Sequence, residues 1–150
     1  MSRVELRIET PEAMRALGER LGRASQAGDR FLLEGDFGAG KTTLVQGLAR
    51  GLDVAAPVSS PSFVIETIHR GRLPLYHIDL YRLDRIEPAL LDELEEHLFG
   101  DGVAAVEWAE RLPADLRVGA SVLRFHPDEG ARHVEVRSFD QRILEAATSQ

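Results

Sequence analysis

The sequence contains no cysteine, which excludes disulfide bonds, thiolate catalysis and cysteine-based zinc or iron–sulfur sites. Any metal ion would have to be held by oxygen or imidazole ligands. The sequence also has no apolar run of 18 residues, and residues 1–15 do not combine a basic region with an apolar run. Neither a membrane span nor an export signal is therefore predicted, and we expect a cytoplasmic protein that does not bind membranes.

Positive charge is scarce, and lysine is almost missing. The chain has 18 basic and 25 acidic side chains, a net charge of −7 and a pI of about 5.2. Because nucleic-acid backbones are bound by clustered basic residues, any link to RNA is expected to run through partners. Lys41 is the only lysine among the basic residues. Lysine and arginine are not interchangeable beside a phosphate, so this position indicates a local requirement for an ammonium group.

Apolar spacing along the 150 residues predicts one α/β domain with a mixed sheet. Thr10 is expected to cap the first helix, with Pro11 in its first turn. Strands are expected at Val4–Ile8, Phe31–Leu33, Phe63–Ile68, Leu75–Ile78 and Val103–Val106, with a further hairpin carrying Leu123 and Phe125 on one strand and Val134 and Val136 on the other. The later helices are expected at Lys41–Arg50, Leu90–Leu98 and Asp140–Ala147.

The segment Gly35–Thr42 reads GDFGAGKT and matches the phosphate-loop pattern of a glycine, four residues, then Gly-Lys-Thr. A predicted strand precedes it and a predicted helix follows it, which disfavours the alternative of a glycine-rich turn with an accidental lysine. Lys41 is expected at the β- and γ-phosphates, and the Thr42 hydroxyl at Mg²⁺. The predicted nucleotide-binding residues of this segment are Asp36, Phe37, Gly38, Ala39, Gly40, Lys41, Thr42 and Thr43. The expected fold is a three-layer P-loop NTPase with a mixed, largely parallel central sheet and added antiparallel hairpins.

Two acidic residues end predicted strands, where α/β sheets bind ligands. Glu107 ends the apolar run VAAVE and is the candidate metal-side acid, while Asp79 ends LYHID and could align the attacking water or lie in the second shell of the metal. For both, a solvated acid at a strand end is the alternative. His77, two residues before Asp79, is interpreted as a hydrogen-bonded structural residue rather than a metal ligand.

Several neighbouring residues have two interpretations each. Trp108 is expected in packing, with a contact to the site as the alternative. Glu110 could reach the nucleotide or face solvent, and for Arg111 solvent is favoured. The SSPSF loop at 59–63 is either a switch segment whose hydroxyls sense Mg²⁺ or γ-phosphate, or an ordinary proline turn. Arg82 is a candidate source of positive charge for the transition state.

ATP is favoured over GTP, because a guanine-reading element normally carries a second lysine and this chain has none. Taken in order, GDFGAGKTT, SPSF, YHIDLYRL and VEWAE closely resemble the TsaE family, small bacterial ATPases of tRNA threonylcarbamoyladenosine (t6A) biosynthesis. The resemblance covers residues 31–110, and the flanking regions match it weakly. Adenine contacts therefore stay open, with Thr10 and Pro11 as weak candidates.

The resemblance implies roles at matching positions. Lys41 and Thr42 would hold phosphate and Mg²⁺, Glu107 would be the metal-side acid, and Asp79 would act in nucleotide turnover. Ser62 replaces a threonine usual in the switch-like segment but keeps the hydroxyl. The family function implied is ATP hydrolysis that sustains a TsaD–TsaB complex, which modifies position 37 of tRNAs reading codons that begin with A, so tRNA would be reached indirectly.

Two other classes of function remain open. A small P-loop phosphotransferase would pass phosphate to a metabolite, although the Ser and Pro loop offers neither an acceptor pocket nor the usual acidic motif. A regulatory module would hold Mg²⁺–ATP without hydrolysing it, even with its partners present.

Overall fold

A computed structural model describes residues 1–35, 40–58, 65–81 and 83–149. Within these ranges the chain forms a seven-stranded mixed sheet with helices on both faces, which confirms the predicted architecture. The strands are β1 (Ser2–Ile8), β2 (Arg30–Glu34), β3 (Glu66–His69), β4 (Leu75–Asp79), β5 (Val103–Glu107), β6 (Ser121–Asp128) and β7 (Ala131–Ser138). The helices are α1 (Pro11–Ala24), α2 (Lys41–Gly51), α3 (Pro88–Leu98), α4 (Ala114–Arg117) and α5 (Gln141–Thr148), with a 3-10 turn at Ala109–Arg111.

The sheet has the strand order β1-β7-β6-β2-β5-β4-β3. Strands β6, β2, β5 and β4 are parallel to one another, while β1–β7, β6–β7 and β3–β4 are antiparallel pairs. The largely parallel centre and the added hairpins are thus as predicted. Because parallel strands point the same way, β2, β4 and β5 end at one edge of the sheet, at Glu34, Asp79 and Glu107.

Alternation along β5 decides which face each side chain covers. Val103 and Ala105 belong to the core beneath α1, α2 and α5, while Ala104 and Val106 belong to the core beneath α3. Glu107 alternates in step with Val103 and Ala105, and its side chain therefore points to the face of the sheet that α2 covers. The whole of β5 is buried, as its uninterrupted apolar run predicts.

Helix α1 begins as the sequence predicts and then packs closely on α2. The Thr10 Oγ1 accepts a hydrogen bond from Ala13 N, and Pro11 occupies the first turn. Farther along, the two helices meet backbone to backbone. A Cβ atom on Gly18 would lie 2.1 Å from Leu44 O, and one on Gly47 would lie 2.0 Å from Arg15 O. This glycine contact between α1 and α2 fixes how α2 lies on the sheet.

Two short elements had no counterpart among the predictions: the 3-10 turn after β5 and the four-residue helix α4. A segment of three or four residues is too short to show helical periodicity. Among the described helices, none is both long and apolar enough to cross a membrane.

Candidate nucleotide site

In the described part of the chain, the N-terminus of α2 has the features of an anion site. Gly40 precedes the helix in the left-handed region at φ 101°, and a Cβ there would lie 2.9 Å from the Met14 Cε. In the described part of the chain no side chain caps α2, and its first turn carries no acidic residue. The first helical bond runs from Leu44 N to Gly40 O, so the N–H groups of residues 41–43 have no partner within the helix. These donors and the helix dipole favour a bound phosphate.

The predicted lysine is buried at this helix end. Lys41 is 5% exposed, its Nζ donates to Gly35 O at 2.6 Å, and the same atom lies 4.7 Å from the centre of the Trp108 ring. A carbonyl dipole and an aromatic face stabilise an ammonium group without neutralising it. A buried positive charge held in this way suits an anionic ligand.

The two predicted acids lie side by side at the sheet edge. Asp79 and Glu107 are register partners on the parallel strands β4 and β5, whose backbones are about 4.8 Å apart. The Asp79 Oδ1 accepts a hydrogen bond from Tyr81 N at 3.0 Å, which fixes the orientation of its carboxylate. Glu107 is buried rather than solvated, and it immediately precedes the residue that Lys41 contacts. The N-terminus of α2 therefore lies close to the ends of β4 and β5 that carry the two acids.

His77 is the partner of Glu107. Its Nε2 lies 2.6 Å from the Glu107 Oε2, and the histidine is fully buried, which confirms that this residue is hydrogen-bonded. Its Nδ1 has no hydrogen-bond partner among the described residues. His69 lies near it, and burial, followed by the influence of His77, holds the pKa of His69 below its usual value.

Trp108 has a left-handed backbone at φ 57°. Its ring stacks at a tilt on Tyr81 with centroids 5.0 Å apart and faces the Lys41 ammonium. Trp108 therefore packs and also contacts Lys41 of the candidate site, so both interpretations of this residue apply. Thr42 and Thr43 are half-buried in the first turn of α2, and Glu110 is exposed on the 3-10 turn.

The expectation that Arg111 faces solvent is wrong. Its guanidinium is half-buried and donates to the carbonyls of Leu80, at 3.2 Å, and Tyr81, at 2.5 Å, and also to that of Leu83. The turn after β4 presents these three carbonyls to the Nη1 atom of Arg111, whose two N–H groups are shared among them. Arg111 thus holds the turn that follows Asp79.

Some predicted residues lie outside the described part of the chain. They are Asp36, Phe37, Gly38 and Ala39 of the phosphate loop, Ser62 and the rest of the SSPSF segment, and Arg82.

A cavity of about 210 Å³ adjoins the start of α2. Gly40 and Thr43 form one wall, Thr10, Pro11 and Met14 a second, and residues 130–132, at the end of the β6–β7 turn and the start of β7, a third. The two weak candidates for adenine contacts therefore lie beside the phosphate loop, whereas Met14 and Arg132 were not anticipated. The β6–β7 turn lies 90 residues after Gly40 in the sequence, and the strand order of the sheet brings it to this cavity. No short sequence motif could therefore predict that it lines the cavity.

Comparison with known proteins decides the family. The family model described as "Threonylcarbamoyl adenosine biosynthesis protein TsaE" matches residues 8–136. The chain belongs to the TsaE family. A TsaE protein of Nostoc sp. strain PCC 7120 is 46% identical over 132 residues, covering 85% of this chain and 81% of that one. The TsaE protein of Bacillus subtilis strain 168 is 39% identical over 134 residues, covering 86% and 83%.

The fold comparison agrees. The crystal structure of Bacillus subtilis YdiB superposes with a TM-score of 0.73 at 31% identity, covering 97% of this chain and 91% of that one. The TsaE match extends beyond residues 31–110, to which the motifs had confined it, and includes the end of β1 and most of the β6–β7 hairpin. The match to the family therefore includes parts of both flanking regions.

Proposed function

We propose that this chain is the Mg²⁺-dependent ATPase subunit of t6A biosynthesis and hydrolyses ATP to sustain turnover of a TsaD–TsaB complex. Membership of the TsaE family supports the role in t6A biosynthesis. The observation that supports ATP hydrolysis is the buried Lys41 at an open helix N-terminus, beside the strand ends that carry Asp79 and Glu107.

The phosphates of ATP would bind at the start of α2, where Lys41 and the N–H groups of residues 41–43 converge. The adjoining cavity would take the base, because it starts at Gly40 and Thr43 and is walled by the apolar groups of Pro11 and Met14.

Mg²⁺ would be held by the Thr42 hydroxyl and the Glu107 carboxylate, the oxygen donors that this hard cation prefers. When bound, Mg²⁺ would offset the negative charge that develops on the phosphates. Lys41 would contribute positive charge at the same phosphates. Asp79, held by Tyr81 N, would accept a hydrogen bond from the attacking water and orient it.

Phosphate release from Mg²⁺–ATP, measured with and without TsaD and TsaB, tests the proposal. Lys41→Ala should lower the partner-stimulated rate by about 100-fold or more, in line with the loss of one electrostatic stabiliser of the transition state. Arg50→Ala is the matched control, because Arg50 is an exposed basic residue at the far end of the same helix. Its rate should equal that of the parent protein.

Three results would contradict the proposal. If Lys41→Ala hydrolyses ATP at an unchanged rate, the phosphates do not bind at the start of α2. Transfer of phosphate to a sugar, nucleoside or shikimate-like acceptor would make the protein a phosphotransferase. Stable binding of Mg²⁺–ATP without phosphate release, even with the partners present, would make it a regulatory module.

A further inference from the structure

His77 and Glu107 form a buried polar pair between two central strands. His77 lies on β4 opposite Ala105, two positions before Asp79 pairs with Glu107. Both side chains point to the α2 side of the sheet, where their Nε2 and Oε2 atoms come within 2.6 Å. The exposed fractions of the two side chains are 0% and 6%. Solvent therefore contributes little to the orientation of either group.

The direction of this hydrogen bond follows from the chemistry of the carboxylate. An ionised carboxylate only accepts, so the Nε2 of His77 carries the hydrogen and donates it. In a neutral ring the Nδ1 is then an acceptor, and it has no partner among the described residues. A buried acceptor without a partner destabilises the folded chain. An apolar side chain would fill this space without that cost, so packing alone does not account for a histidine here.

This hydrogen bond also makes the two carboxylate oxygens of Glu107 inequivalent. Oε2 is engaged by His77, which leaves Oε1 as the oxygen available to a ligand. A carboxylate that rotates freely would present either oxygen and would lose that freedom on binding a cation. The histidine restricts this rotation before any ligand arrives.

We propose that His77 is a positioning residue that holds the Glu107 carboxylate in the orientation required to bind the divalent cation of the nucleotide complex. This inference rests on the proposed function, in which Glu107 is the metal-side acid. His77 acts through Glu107 and does not contact the nucleotide. Its contribution is to the affinity for the cation rather than for ATP itself.

The test compares His77→Gln with His77→Asn. The amide nitrogen of glutamine can reach the position of the histidine Nε2, whereas that of asparagine reaches only the position of Nδ1. Binding of Mn²⁺, used as a paramagnetic substitute for Mg²⁺, is measured by electron paramagnetic resonance with a non-hydrolysable ATP analogue present. Metal-free binding of the analogue is followed by the fluorescence of Trp108, the only tryptophan in the chain.

His77→Asn should weaken Mn²⁺ binding by about 10- to 100-fold, the usual effect of losing a partner of a metal ligand. His77→Gln should stay within about threefold of the parent protein. Metal-free analogue binding should be unchanged in both variants, which a general loss of structure would not allow. In a Glu107→Gln background, His77→Asn should cause no further loss of Mn²⁺ binding, because its effect runs through that carboxylate.

The outcomes separate the inference from the proposed function. If Glu107→Gln binds Mn²⁺ as tightly as the parent protein, Glu107 is not the metal-side acid and both fail. If Glu107→Gln loses Mn²⁺ but His77→Asn does not, only the positioning role fails. Should His77→Asn not fold, His77→Gln decides, since a tenfold loss of Mn²⁺ affinity in the folded variant would overturn the inference.

Discussion

Gly47→Ala should strongly destabilise the protein, although alanine is the better helix former. Gly47 lies in the middle of α2, facing α1, and a Cβ at this position would be 2.0 Å from the carbonyl oxygen of Arg15. Ordinary van der Waals contact begins at 3.4 Å. The carbonyl oxygen of Arg15 is a backbone atom of α1, and the added Cβ is fixed directly on the backbone of α2. No side-chain rotation can therefore relieve the clash. The two helices would have to move apart by about 1 Å.

The size of the effect follows from three contributions. In an unobstructed helix the change from glycine to alanine stabilises by about 1 kcal/mol. Forced overpacking costs about 1–3 kcal/mol, and more where backbone must move. Separating the helices also opens space around the buried residues Leu17, Leu21, Leu44 and Leu48, and each 50 Å³ of void costs about 1.2 kcal/mol. We expect a net loss of about 3 kcal/mol in the free energy of unfolding.

Equilibrium urea unfolding, followed by circular dichroism, measures this loss from the shift in midpoint at constant slope. Gly28→Ala is the control, because Gly28 lies in a turn at φ +93° with no described heavy atom within 4 Å of the added Cβ. That change should cost only about 1 kcal/mol, from backbone strain alone. If Gly47→Ala is as stable as the parent protein, or more stable, the close contact between α1 and α2 cannot be as described.

Two further predictions concern groups around the sheet edge and α3. The hydrogen bond from the Tyr76 hydroxyl to Asp101 raises the pKa of Tyr76 to about 12, so its contribution to stability is fully present below pH 10 and is lost as the pH rises from 10 to 12. Tyr76→Phe should therefore cost about 1–2 kcal/mol at pH 8 and much less at pH 11.5, and an equal deficit in urea unfolding at both pH values would contradict this. Arg111→Met should lower stability by about 2 kcal/mol and reduce ATP hydrolysis more than ATP affinity, because it releases the turn after Asp79. Urea unfolding would measure the loss of stability and phosphate release the loss of hydrolysis. An unchanged hydrolysis rate would show that the turn after Asp79 has no role in catalysis.

Local signals account for what the sequence could predict. The run VAAVE indicates a buried central strand, Thr10 with Pro11 marks a helix start, and the glycines and Lys41 sit between a strand and a helix. Each of these signals lies within a few residues, where backbone preferences and capping act. The polar motifs indicated the TsaE family for the same reason, since each is a short run of chemically distinctive residues.

The pairing of His77 with Glu107 could not be predicted in this way, because it depends on the register between β4 and β5, 30 residues apart. Arg111 was assigned to solvent because its carbonyl partners have no sequence signature. The contact between α1 and α2 did have one: Gly18 and Gly22 on one helix and Gly47 and Gly51 on the other repeat at a spacing of four. That spacing places glycines on one helix face, and it is the signal that sequence analysis overlooked.

Trp108, directly after β5, makes contacts on both faces of the sheet. In a continuing strand, Glu107 and Trp108 would point to opposite faces, and the ring would lie only on the α3 side. The left-handed backbone at Trp108, at φ 57°, ends the strand at this point. The ring then packs on the α3-side core and also meets the ammonium of Lys41, which belongs to α2. A non-glycine residue in this conformation costs about 1–2 kcal/mol, and such strain persists only where the surrounding contacts hold it. Here those contacts are Lys41 and Tyr81, so the strained residue connects the phosphate-loop helix to the turn that orients Asp79.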